Sequence, residues 1–270
     1  MKVLRDRIAV VTGAGGGIGR ATSEALAGRG LDVAVVDICD EAAQATAELV
    51  RSRGRRATVH HVDVREADQM RGLADDVLAA HGACHVLVNN AGVTSAGSFE
   101  AESLDDLKWI VDINIWGVVN GCRAFLPTLR EMDEAHIVNL SSMVGLLGLA
   151  HNASYSLTKG AVRSFSEALR SELVTTNVGL TVVFPGAINT SIMASARGSE
   201  AQRLSAMSGS RLSSLVMRPP SSVASAVVRG VERDRARVVV GPDAHALNVV
   251  SRLVPGRSGL LGRLTSRLMH

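Results

Sequence analysis

RIAVVTGAGGGIG, residues 7–19, joins a short apolar run rich in β-branched residues directly to a turn that contains five glycines. Apolar residues then recur at helical spacing, at Ile18, Ala21 and Ala25. Glycine permits a tight turn and lets the backbone approach a bound group closely, because no side chain intervenes. A strand, a glycine-rich turn and a helix in this order hold a pyrophosphate at the N-terminus of the helix. The stretch therefore predicts a nucleotide-binding unit near the start of the chain.

Apolar runs and helical patterns alternate along the rest of the sequence. Strands are predicted at 7–12, 32–37, 56–62, 85–89, 136–142, 179–184 and 236–241, and further helices at 41–53, 66–81, 103–130, 152–175 and 221–232. Strands recur about every 25 to 30 residues with a helix between them, which is typical of βαβ units. The pattern predicts an α/β fold in one domain. Its core is a Rossmann-like, doubly wound parallel sheet of about seven strands with helices on both faces.

Six predicted strands end at a glycine, proline or polar residue. In a doubly wound sheet, ligands bind beyond the carboxyl ends of the strands. The residues at these ends are Gly13, Asp37, Asp63, Asn90, Ser142 and Pro185. We therefore expect these six residues to line one cleft.

The carboxylate of Asp37 ends the second predicted strand. A carboxylate at this position accepts hydrogen bonds from the hydroxyls of an adenosine ribose and would repel a 2′-phosphate. Neither the glycine turn nor Ile38-Cys39 supplies an arginine that could hold such a phosphate. NAD is therefore the predicted cofactor, and NADP is less favoured. The alternative role, capping the next helix, fits Asp40 better than Asp37.

Tyr155 is the only tyrosine in the chain, and Lys159 follows it four positions later. This spacing places both side chains on one face of the predicted helix, with Ser142 at the end of the preceding strand. A free phenol has a pKa of about 10, too high for an efficient base at neutral pH. Lys159 and the positive charge of oxidised nicotinamide would both stabilise a phenolate. The alternative is a tyrosine that packs in the core and a lysine in solvent.

Together these motifs resemble the classical short-chain dehydrogenase/reductase family. The matching elements are the glycine motif TGxxxGxG (12–19), the NNAG element (89–92), the asparagine of the long central helix (Asn114), the catalytic serine, tyrosine and lysine (Ser142, Tyr155, Lys159) and the Pro-Gly segment (185–190). The resemblance extends from residue 6 to about residue 190, and jointly these motifs are highly specific. The chain departs from the family pattern in a longer C-terminal tail.

The resemblance implies hydride transfer between a nicotinamide cofactor and an alcohol or ketone. Tyr155 would be the acid/base, Lys159 would also bind the nicotinamide ribose, Ser142 would hold the substrate oxygen, and Asn114 would anchor a water linked to Lys159. The residues that would contact the cofactor are Gly13, Gly15, Gly16, Gly17, Ile18, Gly19, Asp37, Asp63, Val64, Asn90, Ala91, Gly92, Tyr155, Lys159, Pro185, Gly186, Ile188 and Thr190.

The substrate site is predicted to be mainly apolar. Candidate contacts are Met143, His151, Asn152 and Met193, and no motif fixes an arginine that must bind a substrate carboxylate. These residues favour an apolar secondary alcohol or ketone. His151 has an alternative role as a cap at the start of its helix.

The composition excludes several other classes of protein. With 46% hydrophobic and 20% charged residues the chain is globular, and a net charge of +3 with 3% aromatic residues does not indicate nucleic-acid binding. Its three cysteines form no CxxC pair and its eight histidines no metal-ligand spacing, so we expect reduced thiols and no metal. No signal peptide or spanning segment is predicted, which favours a cytoplasmic location.

Two predicted helices, 103–130 and 152–175, are apolar on more than one face. One face can pack on the sheet, and the other needs a partner. Members of the resembled family pair these two helices across a twofold axis, which implies a homodimer or homotetramer. The alternative is a monomer whose own tail covers the second face.

We divide the chain into a catalytic domain, 1–242, and a basic amphipathic C-terminal extension, 243–270. Within the domain, 191–218 is small, polar and methionine-containing, as expected of a loop that closes over substrate. The alternative is a simple surface connection. Arginines alternate with leucines in the extension, so it can make a weak contact with an anionic membrane surface or pack on its own domain or a subunit neighbour.

The sequence is therefore interpreted as an NAD-dependent short-chain alcohol dehydrogenase or ketone reductase that acts on a small molecule. The competing interpretation is a non-catalytic NAD-binding sensor or scaffold on the same fold. Such proteins generally lack the tyrosine or the lysine, and this chain has both Tyr155 and Lys159. Their presence favours the enzyme.

Overall fold

Short valine-rich runs form the strands of one parallel sheet in the computed structural model, which describes Met1, residues 3–202 and residues 217–253. The strands are β1 (Ile8–Thr12), β2 (Asp32–Asp37), β3 (Ala57–His61), β4 (Val86–Asn89), β5 (Ala135–Leu140), β6 (Val178–Pro185) and β7 (Arg237–Val240). Their order across the sheet is β3-β2-β1-β4-β5-β6-β7. All residues of β1 and β5 are buried, because helices cover both faces of the sheet.

Helices cover the two faces in two groups. The helices are α1 (Gly17–Ala27), α2 (Asp40–Ser52), α3 (Ala67–His81), α4 (Leu104–Val111), α5 (Gly117–Glu131), α6 (Ala153–Glu172), α7 (Pro220–Glu232) and α8 (Pro242–Leu253). Apolar residues of α1, α2 and α7 share one buried cluster with the sheet, and those of α3, α5 and α6 share the other. This three-layer arrangement confirms the predicted doubly wound fold.

The predicted helix 103–130 is not one regular α-helix. A π-helical turn, Asp112–Trp116, separates α4 from α5 and contains the buried Asn114. The Asn114 amide donates to Val93 O at 2.9 Å and to Thr158 Oγ1 at 3.0 Å, and its oxygen accepts from Val93 N at 2.8 Å. Single π-helical turns often mark functional sites. This one turns Asn114 toward β4 and α6, which periodicity alone could not predict.

The order of the strands reverses between β1 and β4. β1 leads back through β2 to β3, whereas β4 leads through β5 and β6 to β7. A crevice opens at the carboxyl ends of the strands where the order reverses, and ligands bind there in sheets of this kind. Separately, the described residues include no helix that is long and apolar enough to cross a bilayer.

Candidate active site

The glycine turn forms an open cradle between β1 and α1. Gly13 and Gly17 have φ angles of 61° and 50°, which favour glycine. A Cβ at Gly13 would lie 2.7 Å from the Cα of Ala91, and one at Gly19 would collide with the Gly13 carbonyl oxygen. Above Gly16, by contrast, such an atom would meet only Ser191 Oγ, at 3.8 Å. The cradle is thus tightly packed at Gly13 and Gly19 and open at Gly16, beside the N-terminus of α1. A pyrophosphate needs such an open space at the N-terminus of a helix.

Asn90, which directly follows β4, stabilises this turn by hydrogen bonds. Its side-chain amide donates to the carbonyl oxygens of Thr12 and Gly13, both at 2.9 Å. In return the Thr12 hydroxyl accepts from the backbone N–H groups of Asn90 and Ala91, both at 3.1 Å. Thr12 was not among the predicted site residues, although it opens the TGxxxGxG motif and so could have been included.

Asp37 lies at the side of the cradle. Its carboxylate accepts from the N–H of Gly15 at 2.8 Å and from that of Cys39 at 3.0 Å, and the residue is half-buried. Two backbone donors therefore fix the carboxylate where it can accept further hydrogen bonds from a ribose. The cap of α2 is Cys39, so neither Asp37 nor Asp40 occupies the capping position.

Arg20 contributes a contact that the sequence analysis missed. Its guanidinium donates to the Gly15 carbonyl oxygen, and its Nε donates to Thr46 Oγ1 at 3.1 Å. The prediction that neither the glycine turn nor Ile38-Cys39 supplies an arginine is not contradicted, because Arg20 directly follows the turn. Side chains in a helix lean toward its N-terminus, which brings Arg20 back to Gly15, five residues earlier.

Asp63 and Val64 follow β3 and have different surroundings. The Asp63 carboxylate accepts two hydrogen bonds from Arg65 Nε, at 2.9 and 3.0 Å, and the Arg65 side chain holds the pKa of Asp63 below its usual value. Val64 is buried against Gly117, where an added Cβ would lie 2.7 Å from Val64 Cγ2. Both residues lie just beyond the carboxyl end of β3.

Ser142, Tyr155 and Lys159 come together between β5 and α6. Ser142 is buried just beyond β5, where its hydroxyl accepts from the N–H of Val144 at 3.4 Å and lies near enough to the phenol of Tyr155 to lower the pKa of that phenol. Lys159 Nζ lies 5.8 Å from the centroid of the Tyr155 ring and donates to the Leu140 carbonyl oxygen at 3.0 Å. One turn of α6 supplies Tyr155 and Lys159, and the end of β5 supplies Ser142. The three residues thus form one compact triad.

Burial sets the protonation of this triad. It raises the pKa of Tyr155 to about 12, against a smaller lowering by the nearby Ser142 hydroxyl, and it lowers the pKa of Lys159 to about 8. Among the described residues no carboxylate pairs with Lys159. The side chains alone therefore keep the phenol protonated at neutral pH, so the expected stabilisation of a phenolate needs a further positive charge.

The Pro-Gly segment runs from the end of β6 toward the glycine cradle. Ile188 is buried and pairs with Arg218 in a short parallel bridge. Thr190 reaches the cradle, since a Cβ at Gly17 would lie 3.2 Å from Thr190 Cγ2. The structure therefore brings Thr190 to the glycine turn, while Pro185 and Gly186 lie at the carboxyl end of β6.

His151 and Asn152 precede α6. Asn152 is the N-cap residue but makes no capping side-chain bond, so the capping role considered for His151 is wrong. His151 instead has a φ of 61°, and its Nδ1 lies 2.9 Å from Glu200 Oε1. This contact joins residues far apart in sequence, which is why the helix pattern did not predict it.

Met143 and Met193 lie on two short 3₁₀ turns, Met143–Gly145 and Ser191–Met193. The first directly follows Ser142, and the second directly follows Thr190. Both methionines are half-buried. Of the predicted closing loop, 191–218, residues 203–216 lie outside the described residues, as does the tail from 254 onward.

The described end of that loop is attached to the rest of the domain. Arg197 lies with its guanidinium 4.1 Å from the centroid of the Trp109 ring and 3.4 Å from Asp106 Oδ1. Ser95 and Arg197 also form a short parallel bridge. Within the part of the chain described here, no three His, Cys, Asp or Glu side chains are grouped as metal ligands.

Comparisons with known proteins agree with this geometry. A family model for the short chain dehydrogenase matches residues 7–201. SadH of Mycobacterium tuberculosis, provisionally assigned as an oxidoreductase, is 35% identical over 94% of this chain and 93% of its own length. The ketoacyl reductase HetN of a Nostoc species is 30% identical over 89% of this chain and 80% of its own length.

A solved structure is also closely similar. The short chain dehydrogenase/reductase of Burkholderia phymatum in complex with NAD superposes with a TM-score of 0.84 at 28% identity, covering 93% of this chain and 95% of that one. Because the family model matches more than half of the chain and SadH aligns with nearly all of it, we conclude that this protein belongs to the short-chain dehydrogenase/reductase family of oxidoreductases.

Proposed function

We propose that the protein is an NAD-dependent enzyme that transfers a hydride between the nicotinamide and an apolar secondary alcohol or ketone. The observation that carries the proposal is the Ser142 hydroxyl beside the phenol of Tyr155, with the Lys159 ammonium one helical turn away. The residues present also fit the cofactor: the cradle above Gly16 is open, and Asp37 is fixed beside it.

When bound, the oxidised nicotinamide supplies the hydride acceptor and a positive charge. In our proposal Tyr155 takes the proton from the substrate hydroxyl, and Ser142 orients the substrate oxygen against the phenol. Lys159 has three N–H donors, and the Leu140 carbonyl accepts from it, so other donors serve a ribose hydroxyl and a water. Its positive charge favours the phenolate of Tyr155.

Asn114 is proposed to connect Lys159 to solvent. The Asn114 amide oxygen and Lys159 Nζ border the same space over Gly92, since a Cβ there would lie 3.1 Å from the first and 3.3 Å from the second. An amide oxygen has two lone pairs, and Val93 N–H uses one of them. A water at this place could accept from Lys159 and donate to Asn114.

The cofactor preference gives the test of this function. NADH formation should be observed by absorbance with NAD⁺ and one of a panel of apolar secondary alcohols, and much more slowly with NADP⁺. Asp37→Ser should raise the KM for NAD⁺ at least about tenfold, because hydrogen bonds to a charged group are lost. The rate of NADH formation with NAD⁺ should then exceed the rate of NADPH formation with NADP⁺ by a smaller factor than in the wild type.

Asp40→Ser is the matched control, because Asp40 lies three residues away and pairs with His61 rather than with the cradle. An unchanged KM for NAD⁺ in Asp37→Ser would refute the proposal that Asp37 sets the preference for NAD over NADP. A wild-type protein that binds no NADH would end the proposed function, whereas binding without turnover on any alcohol or ketone would favour the sensor or scaffold.

We also propose a homodimer or homotetramer that uses the outer faces of α5 and α6. Members of the family commonly form oligomers, and two large apolar side chains, Trp116 just before α5 and Leu157 in α6, are 52% and 55% exposed. Covering them would remove apolar surface from water. Sedimentation equilibrium should give two or four times the mass of one chain, and a stable monomer at micromolar concentration would refute this assembly.

For the domain organisation, we propose a catalytic unit at 1–242 followed by the extension at 243–270. The described start of the extension, α8, packs against β7 and the 3₁₀ turn after Ser142. We propose a cytoplasmic location, which is supported by the three free cysteines, Cys39, Cys84 and Cys122.

A further inference from the structure

The C-terminal extension makes a direct hydrogen bond to the Pro-Gly segment. Asp243 lies in the first turn of α8, and its Oδ2 accepts from the backbone N–H of Ala187 at 2.6 Å. The family model ends at residue 201, so Asp243 lies outside the region that it matches. The contact therefore comes from the C-terminal extension and reaches a segment inside the matched region.

Two glycines make room for this carboxylate. A Cβ at Gly186 or at Gly241 would collide with Asp243, and Gly241 has a φ of 109°, which favours glycine. The N–H of Gly186 donates to Val240 O at 2.8 Å, so the two glycines lie at the joined ends of β6 and β7. Asp243 is thus seated against the backbone at the point where the Pro-Gly segment leaves the sheet.

The carboxylate does not serve as an ordinary cap of its own helix. The side chain of a capping residue accepts from the backbone N–H of the second or third residue of the same helix. The hydrogen bond of Asp243 instead goes to Ala187, 56 residues earlier in the chain. A carboxylate in a first turn also interacts favourably with the helix dipole, and this general effect must be separated from the specific contact.

The position of the segment in the sheet indicates which end of the cofactor it serves. Asp37, the proposed ribose ligand of the adenosine, follows β2, whereas the Pro-Gly segment follows β6 on the other side of β1, β4 and β5. Tyr155 and Lys159 lie between β5 and α6 on that same side. An extended dinucleotide that reaches from Asp37 to Tyr155 therefore places its nicotinamide near the Pro-Gly segment.

We propose that Asp243 is a positioning residue that fixes the Pro-Gly segment, residues 185–190, for the nicotinamide end of the cofactor. The inference rests on the proposed NAD-dependent function. The Asp243–Ala187 hydrogen bond holds the start of the segment, and the contact of Thr190 with the glycine cradle holds its end. Loss of the first contact frees the segment without altering the adenosine side of the site.

The test compares two ligands in fluorescence or calorimetric titrations of the full chain: NADH and ADP-ribose, which lacks the nicotinamide. Asp243→Ala should weaken NADH binding about tenfold, as expected when a hydrogen bond to a charged acceptor is lost. Its affinity for ADP-ribose should stay within about twofold of wild type. Asp243→Asn retains an acceptor oxygen and should restore most of the NADH affinity.

Asp105→Ala is the matched control, because Asp105 is also the second residue of its helix, α4, and is exposed. It removes the same interaction with a helix dipole and should leave both affinities unchanged. Unchanged NADH binding by Asp243→Ala would overturn the inference, as would an equal loss for both ligands, an unfolded Asp243→Ala protein or a failure of Asp243→Asn to restore binding. If wild type itself does not bind NADH, the proposed function fails instead.

Discussion

Replacement of Tyr155 by phenylalanine is expected to abolish measurable turnover and to leave NADH binding nearly unchanged. The substitution removes the phenol hydroxyl beside Ser142 and keeps the ring that packs beside Lys159. Loss of a general acid or base typically costs about 10²- to 10⁴-fold in rate. The checks are kcat for the alcohol that gives the fastest NADH formation, and the Kd for NADH from fluorescence titration.

Ser156→Ala is the matched control for this experiment. It removes a hydroxyl from the next residue of α6, and the Ser156 hydroxyl is buried with no hydrogen-bond partner among the described residues. We expect the Ser156→Ala enzyme to keep the wild-type kcat. A Tyr155→Phe protein with wild-type rate would remove the phenol from the mechanism. Loss of NADH binding as well would show that the hydroxyl mainly maintains the site.

Replacement of Gly19 by alanine is expected to abolish NADH binding. The new Cβ would collide with the Gly13 carbonyl oxygen and lie 2.6 Å from Asn90 Nδ2. The Gly13 oxygen is a backbone atom, and the Asn90 amide is hydrogen-bonded to it. Neither atom can therefore move away as the end of a flexible side chain would. Helix α1 would have to shift away from the turn, and the cradle would lose its shape. Titration with NADH and thermal unfolding measure the two consequences.

Gly72→Ala tests whether any helical glycine would have the same effect. Gly72 lies in α3, and a Cβ there would have no atom within 4 Å. This variant should bind NADH like the wild type and gain about 0.5 to 1 kcal/mol in unfolding free energy, because alanine has the higher helix propensity. Wild-type NADH affinity in Gly19→Ala would contradict the tight packing of the cradle.

The fold could be predicted from sequence because its signals are local. Valine-rich runs buried on both faces, a glycine turn directly after the first of them and a regular alternation with helices leave few arrangements other than a doubly wound sheet. The Tyr155–Lys159 pair is local for the same reason, since one helical turn fixes its geometry. Ser142 and Asp37 could be placed beside the cleft because the carboxyl ends of parallel strands share one edge of the sheet.

The remaining features depend on contacts between distant parts of the chain. The π-helical turn at Asn114 follows from bonds to Val93 and Thr158, and the orientation of His151 follows from its contact with Glu200. Burial, which raises the pKa of Tyr155, is a property of the packed site and not of the residue.

The sequence by itself thus determined the sheet, the glycine cradle and the identity of the triad, because short-range spacing carries that information. Only the tertiary structure placed Asp243 on the Ala187 N–H, from which it is separated by 56 residues. Sequence spacing fixes which residues share a helix face or a strand end, but only the packing of α8 on β7 and on the 3₁₀ turn after Ser142 brings a carboxylate to that one backbone donor.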